Sequence, residues 1–134
     1  MKIQTKRRVY LREAALMLTL ARLVIFLFPP AHIFAWLKRP LRRVNRFAAN
    51  EISWVSWAIE SRGQKSKIAC LPRALAAHLM LRRRGIPSEV CLGVTREAGQ
   101  LAAHAWLKTD NETVMGGEEA HRFVQLARFG GPPD

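Results

Sequence analysis

The chain has 134 residues, the size of one domain or of a small domain with a helical extension. Apolar residues make up 49% of the sequence and charged residues 24%, a balance that excludes disorder as the main state. The two cysteines, Cys70 and Cys91, allow at most one bridge, which excludes a disulfide-stabilised scaffold, and zinc-finger spacing is absent. We therefore expect a small globular cytoplasmic protein that uses no metal and no cofactor.

The net charge of +12 is concentrated in the first part of the chain. Residues 1–50 contain eleven basic residues against one acid, Glu13, a net charge of +10. Residues 51–134 contain eleven basic and nine acidic residues, a net charge of +2. A basic segment suits nucleic acid, an anionic membrane surface or an acidic protein partner. No aromatic-interleaved RNA motif or helix-turn-helix pattern is present, so we expect no nucleic-acid binding.

An apolar stretch rich in helix formers extends from Leu11 to Phe28, and Pro29 and Pro30 then end or kink any helix. Arginines interrupt this stretch, which argues against both a membrane span and a signal peptide. We interpret residues 1–44 as a basic, apolar helical extension. Its helices either pack against the rest of the chain or, over residues 11–37, dock onto a partner or a membrane surface. In the last case the cytoplasmic protein would be membrane-associated.

Two further helices are predicted in the middle of the chain. The first covers residues 44–62 and is interrupted by the segment 63–66. The second is the best defined, because Pro72 suits its first position, Gly85 suits the position after its end, and Pro87 prevents its continuation.

Cys70 lies where this second helix begins. Unpaired N–H groups and the positive end of the helix dipole favour the thiolate, which is the nucleophilic form of cysteine. A small buried apolar residue is the alternative role for Cys70.

After Pro87 the sequence changes to the alternation of β-strands. Strands are predicted over residues 88–95, 101–108 and 113–115, and a terminal helix over residues 118–129. The second strand carries His104 and Trp106 on one face. A helix that begins with Cys70 and packs on this antiparallel sheet forms an α+β fold, in which His104 is either the base for the thiol or a packing residue.

Four motifs follow one another from Cys70 to Leu107, in the run CLPRALAAHLMLRRRGIPSEVCLGV and then LAAHAWL. They are a cysteine that opens a helix, an LRRRGIP helix exit, a glycine-bearing strand and an HAW strand. This ordered set resembles the transglutaminase-like cysteine peptidases, most closely the leader peptidases of lasso-peptide biosynthesis (the microcin-processing B-protein family). The resemblance covers roughly residues 45–130. It implies a transglutaminase-like or papain-like core over residues 45–134, with Cys70 as nucleophile and His104 as general base.

The family's third catalytic member is an acid downstream of the histidine, which orients the imidazole. Asp110 is six residues beyond His104, which is roughly 20 Å along a continuing strand and too far to bond the imidazole. It is a candidate only if the turn begins early or the strand bulges. If a hairpin turns about Asn111, the position opposite His104 falls near residues 116–118, where family members commonly have an aspartate. Glu118 is the available acid there. Both Asp110 and Glu118 are candidates.

The resemblance implies that the protein removes the leader from a ribosomally made precursor peptide. It also implies a winged-helix-like recognition protein that acts in trans, and an ATP-dependent lasso cyclase that uses the product. Two other functions are open: an acyltransferase or amidase of the same fold, and a non-catalytic module that binds a partner or a membrane surface.

Overall fold

The computed structural model describes residues 3–39, 49–109, 112–116 and 123–130. The elements, in chain order, are the helices α1 (Ile3–Leu27), α2 (Pro30–Leu37), α3 (Ala49–Lys65) and α4 (Cys70–Arg83), and the strands β1 (Glu89–Glu97), β2 (Gln100–Thr109), β3 (Glu112–Met115) and β4 (Val124–Gly130). The predicted α+β fold, with helices before a small antiparallel sheet, is confirmed. Across the described ranges, none of the helices combines the length and the apolarity that crossing a bilayer requires.

Helix α1 packs against α3 and α4 and supplies part of the hydrophobic core. Its side chains Ala14, Leu18 and Ala21 are buried, and their spacing of four and three residues places them on one face. The helix ends at Leu27 and α2 begins at Pro30, as the proline pair predicts. The division of the chain at residue 44 stays a prediction; in the structure, the residues of α1 share one core with α3 and α4.

Helix α3 continues beyond its predicted end. The predicted break at residues 63–66 is wrong by about one turn, since α3 ends at Lys65. Gly63 is buried there, and a Cβ atom at this position would lie 2.6 Å from Nε of Arg73. The glycine thus provides room for the Arg73 side chain instead of ending the helix. Residues 44–48 of the predicted helix lie outside the described residues.

The sheet has the strand order β3-β2-β1-β4, with antiparallel neighbours. Strands β1 and β2 form a hairpin in which Glu97 pairs with Gln100. The two turn residues, Ala98 and Gly99, have φ angles of 51° and 81°, as a two-residue type I′ turn requires. The strands predicted over residues 88–95 and 101–108 are confirmed, and each continues one or two residues farther toward the turn. On the other side of β2, Ser56 Oγ of α3 donates to the carbonyl of Val114 at 2.7 Å and fixes β3 against the helices.

The terminal helix predicted over residues 118–129 is wrong for residues 124–129, and residues 118–122 of this prediction lie outside the described residues. Residues 124–130 form β4, which pairs along the free edge of β1, with Val124 opposite Val94 and Phe129 opposite Val90. A helix this short is marginal without packing, whereas the exposed edge of β1 offers a ladder of backbone hydrogen bonds. Pairing with a distant strand therefore overrides the local helical pattern.

Candidate active site

Cys70 is the first residue of α4, in the position that the sequence predicts for it. Pro72 is the third helical residue and not the first, which still places it in the turn where a missing N–H costs nothing. The preceding residue, Ala69, offers no side-chain acceptor to the start of the helix. The N–H groups of Cys70 and Leu71 therefore have no acceptor within the helix and point outward from its N-terminal end.

The sulfur of Cys70 lies against strand β2. The backbone N–H of Ala105 donates a hydrogen bond to Sγ at 3.3 Å, across the contact between α4 and β2. A backbone donor stabilises a negative sulfur more than a neutral one. Because Ala105 directly follows His104, this bond holds the sulfur next to the strand position that carries the imidazole.

The imidazole of His104 is fixed by a backbone acceptor and by two rings. Its Nε2 atom lies 3.2 Å from the carbonyl oxygen of Gly116. A carbonyl only accepts, so Nε2 donates, and the neutral ring then keeps its lone pair on Nδ1. Trp106 and Phe123 stack on the ring with centroids at 5.9 and 4.9 Å. Tautomer and ring plane are thus set by the surroundings.

Gly116 is a site residue that the sequence does not reveal. Its φ of +73° favours glycine, and an added Cβ atom would lie 3.2 Å from Nε2 of His104 and 3.0 Å from Cβ of Trp106. The hairpin prediction does bring this position close to His104, and the pairing of Thr109 with Glu112 confirms the hairpin. The glycine itself is a general sign of a strand end, and no sequence signal marks its carbonyl as an acceptor.

Cys70 and His104 line one cleft of about 810 Å³, a volume typical of ligand sites. Helix α3 contributes Glu60 and Gln64, two positions that no motif or spacing in the sequence marks as part of a site. The other lining residues are Ile68, Arg73, Ala105, Thr113, Val114, Met115 and Gly116.

Arg73 connects the parts of the cleft around Cys70. Its Nε donates to the carbonyl of Ile68 at 2.7 Å, and its Nη1 pairs with Glu60 at 3.3 Å. Arg73 thus holds the segment that leads into Cys70 against α3. The pattern of the sequence gives no hint of this role, because Arg73, Ile68 and Glu60 meet only in the folded chain.

Asp110 and Glu118, the two candidates for the third catalytic member, are outside the described residues, and their role stays a prediction.

The second cysteine, Cys91, is fully buried in β1, and burial raises the pKa of its thiol. In the part of the chain that the structure describes, no three His, Cys, Asp or Glu side chains form a group that could hold a metal ion.

Comparison with known proteins gives a family and no individual relative. Neither the curated proteins nor the solved structures contain a match to the chain. The family model described as the Transglutaminase-like superfamily matches residues 15–128, a range that begins within α1 and includes both Cys70 and His104. Members of this superfamily are generally cysteine-dependent enzymes. The chain therefore belongs to the Transglutaminase-like superfamily.

Proposed function

We propose that this protein is a cysteine peptidase that removes the leader from a ribosomally made precursor peptide during lasso-peptide maturation. The observation that carries the proposal is the hydrogen bond from the N–H of Ala105 to Sγ of Cys70, in the cleft that His104 also lines. The ordered motifs between Cys70 and Leu107 favour a leader peptidase among the cysteine-dependent enzymes of the superfamily.

In the first step, Sγ of Cys70 attacks the carbonyl carbon at the junction of leader and core, and His104 takes the thiol proton on Nδ1. The N–H groups of Cys70 and Leu71 at the start of α4 are the donors for the developing oxyanion. The carbonyl of Gly116 accepts from Nε2 of His104 and stabilises the imidazolium that forms.

In the second step, the C–N bond breaks and His104 returns its proton to the departing amine of the core peptide. The leader is then bound to Cys70 as a thioester. Water, deprotonated by His104, hydrolyses the thioester and releases the leader carboxylate. The freed amine is the group that an ATP-dependent lasso cyclase joins to a side-chain carboxylate, so that cyclase is a proposed partner. The second proposed partner is a winged-helix-like recognition protein that presents the leader in trans.

The test is cleavage of a precursor peptide in the presence of a leader-recognition protein, followed by mass spectrometry. We expect two fragments whose masses sum to that of the precursor plus one water. Cys70→Ala and His104→Ala should lose cleavage by at least about a thousandfold, since the nucleophile and its base act as a unit. Cys91→Ala, which removes the other thiol, is the matched control and should retain cleavage.

A competing amine separates the peptidase from an acyltransferase. With methylamine in the reaction, a peptidase still yields mainly the leader acid, whereas an acyltransferase yields mainly the leader amide. Predominance of the amide would contradict the proposal. An intact precursor with folded wild-type protein would also contradict it and would favour the binding module.

A further inference from the structure

Helix α1 has a second apolar face that the core does not use. Leu16, Leu20, Leu23 and Leu27 recur at spacings of four, three and four residues and are all exposed. This spacing places them on one side of the helix, opposite the buried face around Ala14. Val9, one heptad before Leu16, is exposed on the same side. An exposed apolar stripe of this length marks an interaction surface.

The stripe extends to the proline-ended tip between α1 and α2. Phe26 is 85% exposed, and Phe28, Pro29 and Pro30 are exposed beside it. A groove of about 590 Å³ opens next to this tip. It is lined mainly by apolar side chains from three helices, including Leu20, Val24, Ile33, Trp36, Leu75 and Leu79. The surface thus combines projecting phenylalanine rings with an adjacent apolar groove.

The charges around this face are of one sign. Of the five basic residues of α1, Lys6 and Arg7 lie over aromatic rings of α3, and the other three remain. The one acid of the helix, Glu13, is paired with two arginines of α4. Arg12 and Arg22 are exposed, one helical turn before Leu16 and Phe26 respectively. These two cations lie beside the apolar stripe on an exposed part of the helix, where their long side chains can reach anionic groups.

We infer that this face of α1, together with the tip at residues 26–30, binds the surface of an anionic lipid bilayer with α1 lying in the interface. An amphipathic helix with Leu and Phe on one side and Arg beside them is suited to that position, because its rings enter the acyl layer while its cations meet phosphates. From Val9 to Leu27, helix α1 offers this surface over about 27 Å of length.

The same charges disfavour a second copy of the chain as the occupant. Two such faces would bring arginines against arginines, and the single acid of α1 is already paired with α4. A fluid acyl layer also accepts the projecting Phe26 and Phe28 without a pocket shaped for them. The charge and the shape of this face therefore both favour a lipid bilayer over a second copy of the chain.

The experiment is sedimentation of the full chain with vesicles of phosphatidylcholine alone or mixed with phosphatidylglycerol. We expect the wild-type protein to partition at least about tenfold more strongly onto the anionic vesicles, and high salt to weaken this binding. The double variant Leu23→Ser, Phe26→Ser should lose binding by about tenfold or more. Leu101→Ser is the matched control, because Leu101 is a 73% exposed leucine on β2, and it should bind like the wild type. Thermal unfolding of each variant checks that all are folded.

Four results would overturn the inference: no partition onto anionic vesicles, equal partition onto neutral ones, unchanged binding of the double variant, or an equal loss with Leu101→Ser. Self-association that depends on Leu23 and Phe26, without vesicle binding, would assign the face to a second copy. Vesicle binding is measured without any precursor, so its outcome is independent of whether the chain cleaves peptides.

Discussion

The backbone carbonyl of Gly116 holds the imidazole of His104. We expect Gly116→Ala to lower kcat/KM for leader cleavage by roughly ten- to a hundredfold, because an added Cβ atom displaces the ring from its acceptor. The measurement is steady-state cleavage kinetics. Gly99→Ala is the matched control, since Gly99 also has a positive φ, of +81°, but no atom within 4 Å of the added Cβ. It should lose about 1 kcal/mol of stability and keep its activity. Equal activity losses in the two variants would contradict the role of Gly116.

The site residues that the sequence reveals are those with a local signal. Cys70 begins a helix whose start and end are both marked by sequence signals, and His104 lies in a strand in which side chains of the two faces clearly alternate. Gly116 and Arg73 act through contacts with distant parts of the chain, at 3.2 Å to His104 and 3.3 Å to Glu60. Their neighbours are fixed by the packing of α3, α4 and β3, which a single sequence pattern does not specify.

Between elements, the ion pairs of Glu13 connect α1 to the end of α4. The Glu13 side chain is 11% exposed and binds both Arg83 and Arg84. Burial alone would raise the pKa of Glu13, but the hydrogen bond and charge of Arg84, with the contribution of Arg83, hold it below its ordinary value. The carboxylate is thus stabilised by the fold, and this contribution is lost as the pH falls below about 4.5.

We expect Glu13→Gln to lower the free energy of unfolding by about 2 kcal/mol, because Arg84 is then left half-buried without its counter-ion. Urea unfolding at neutral pH measures this loss. The control is Arg83→Gln: the Arg83 side chain is 60% exposed, and its pair should contribute less than about 1 kcal/mol. If the two variants lose the same stability, the inner pair does not anchor α1 to α4.

Elements with strong local signals were predictable, and β4 was not. Helix α4 has a proline in its first turn and a glycine after its end, and the β1–β2 hairpin has a turn that requires positive φ. The segment 124–130 lacks such signals. It becomes a strand because β1 has a free edge beside it, and its register even shifts between Leu92 and Gly93. That outcome depends on tertiary pairing, which the local pattern does not contain.

For the molecule as a whole, the buried His78 makes stability depend on pH. Its Nδ1 lies 2.7 Å from Oγ of Ser88, its ring packs nearly perpendicular to that of Trp36, and its Nε2 has no hydrogen-bond partner among the described residues. Burial, with the nearby charge of Arg82, lowers the pKa of His78 to about 4. In the unfolded chain the ordinary pKa is 6.5, so between these values the unfolded state binds more protons.

We therefore expect full stability above about pH 6.5 and a progressive loss down to about pH 4, of at most about 3 kcal/mol from this group. Urea unfolding across this range measures the loss. His78→Gln should flatten the dependence, because the amide does not titrate there, whereas His32→Gln at an exposed position should leave it unchanged. An unchanged pH dependence in His78→Gln would show that another group is responsible.

For the molecule as a whole, we propose that the sulfur of Cys70 and the imidazole of His104 act as one unit, and the rate of thiol alkylation at neutral pH is the measurement that decides this. In the wild-type protein, Cys70 should react with iodoacetamide at least about tenfold faster than Cys91, which is buried and whose pKa is raised. In a folded His104→Ala variant, the rate at Cys70 should fall several-fold while Cys91 is unchanged. Equal rates at Cys70 in the two proteins would show that the imidazole does not activate the sulfur.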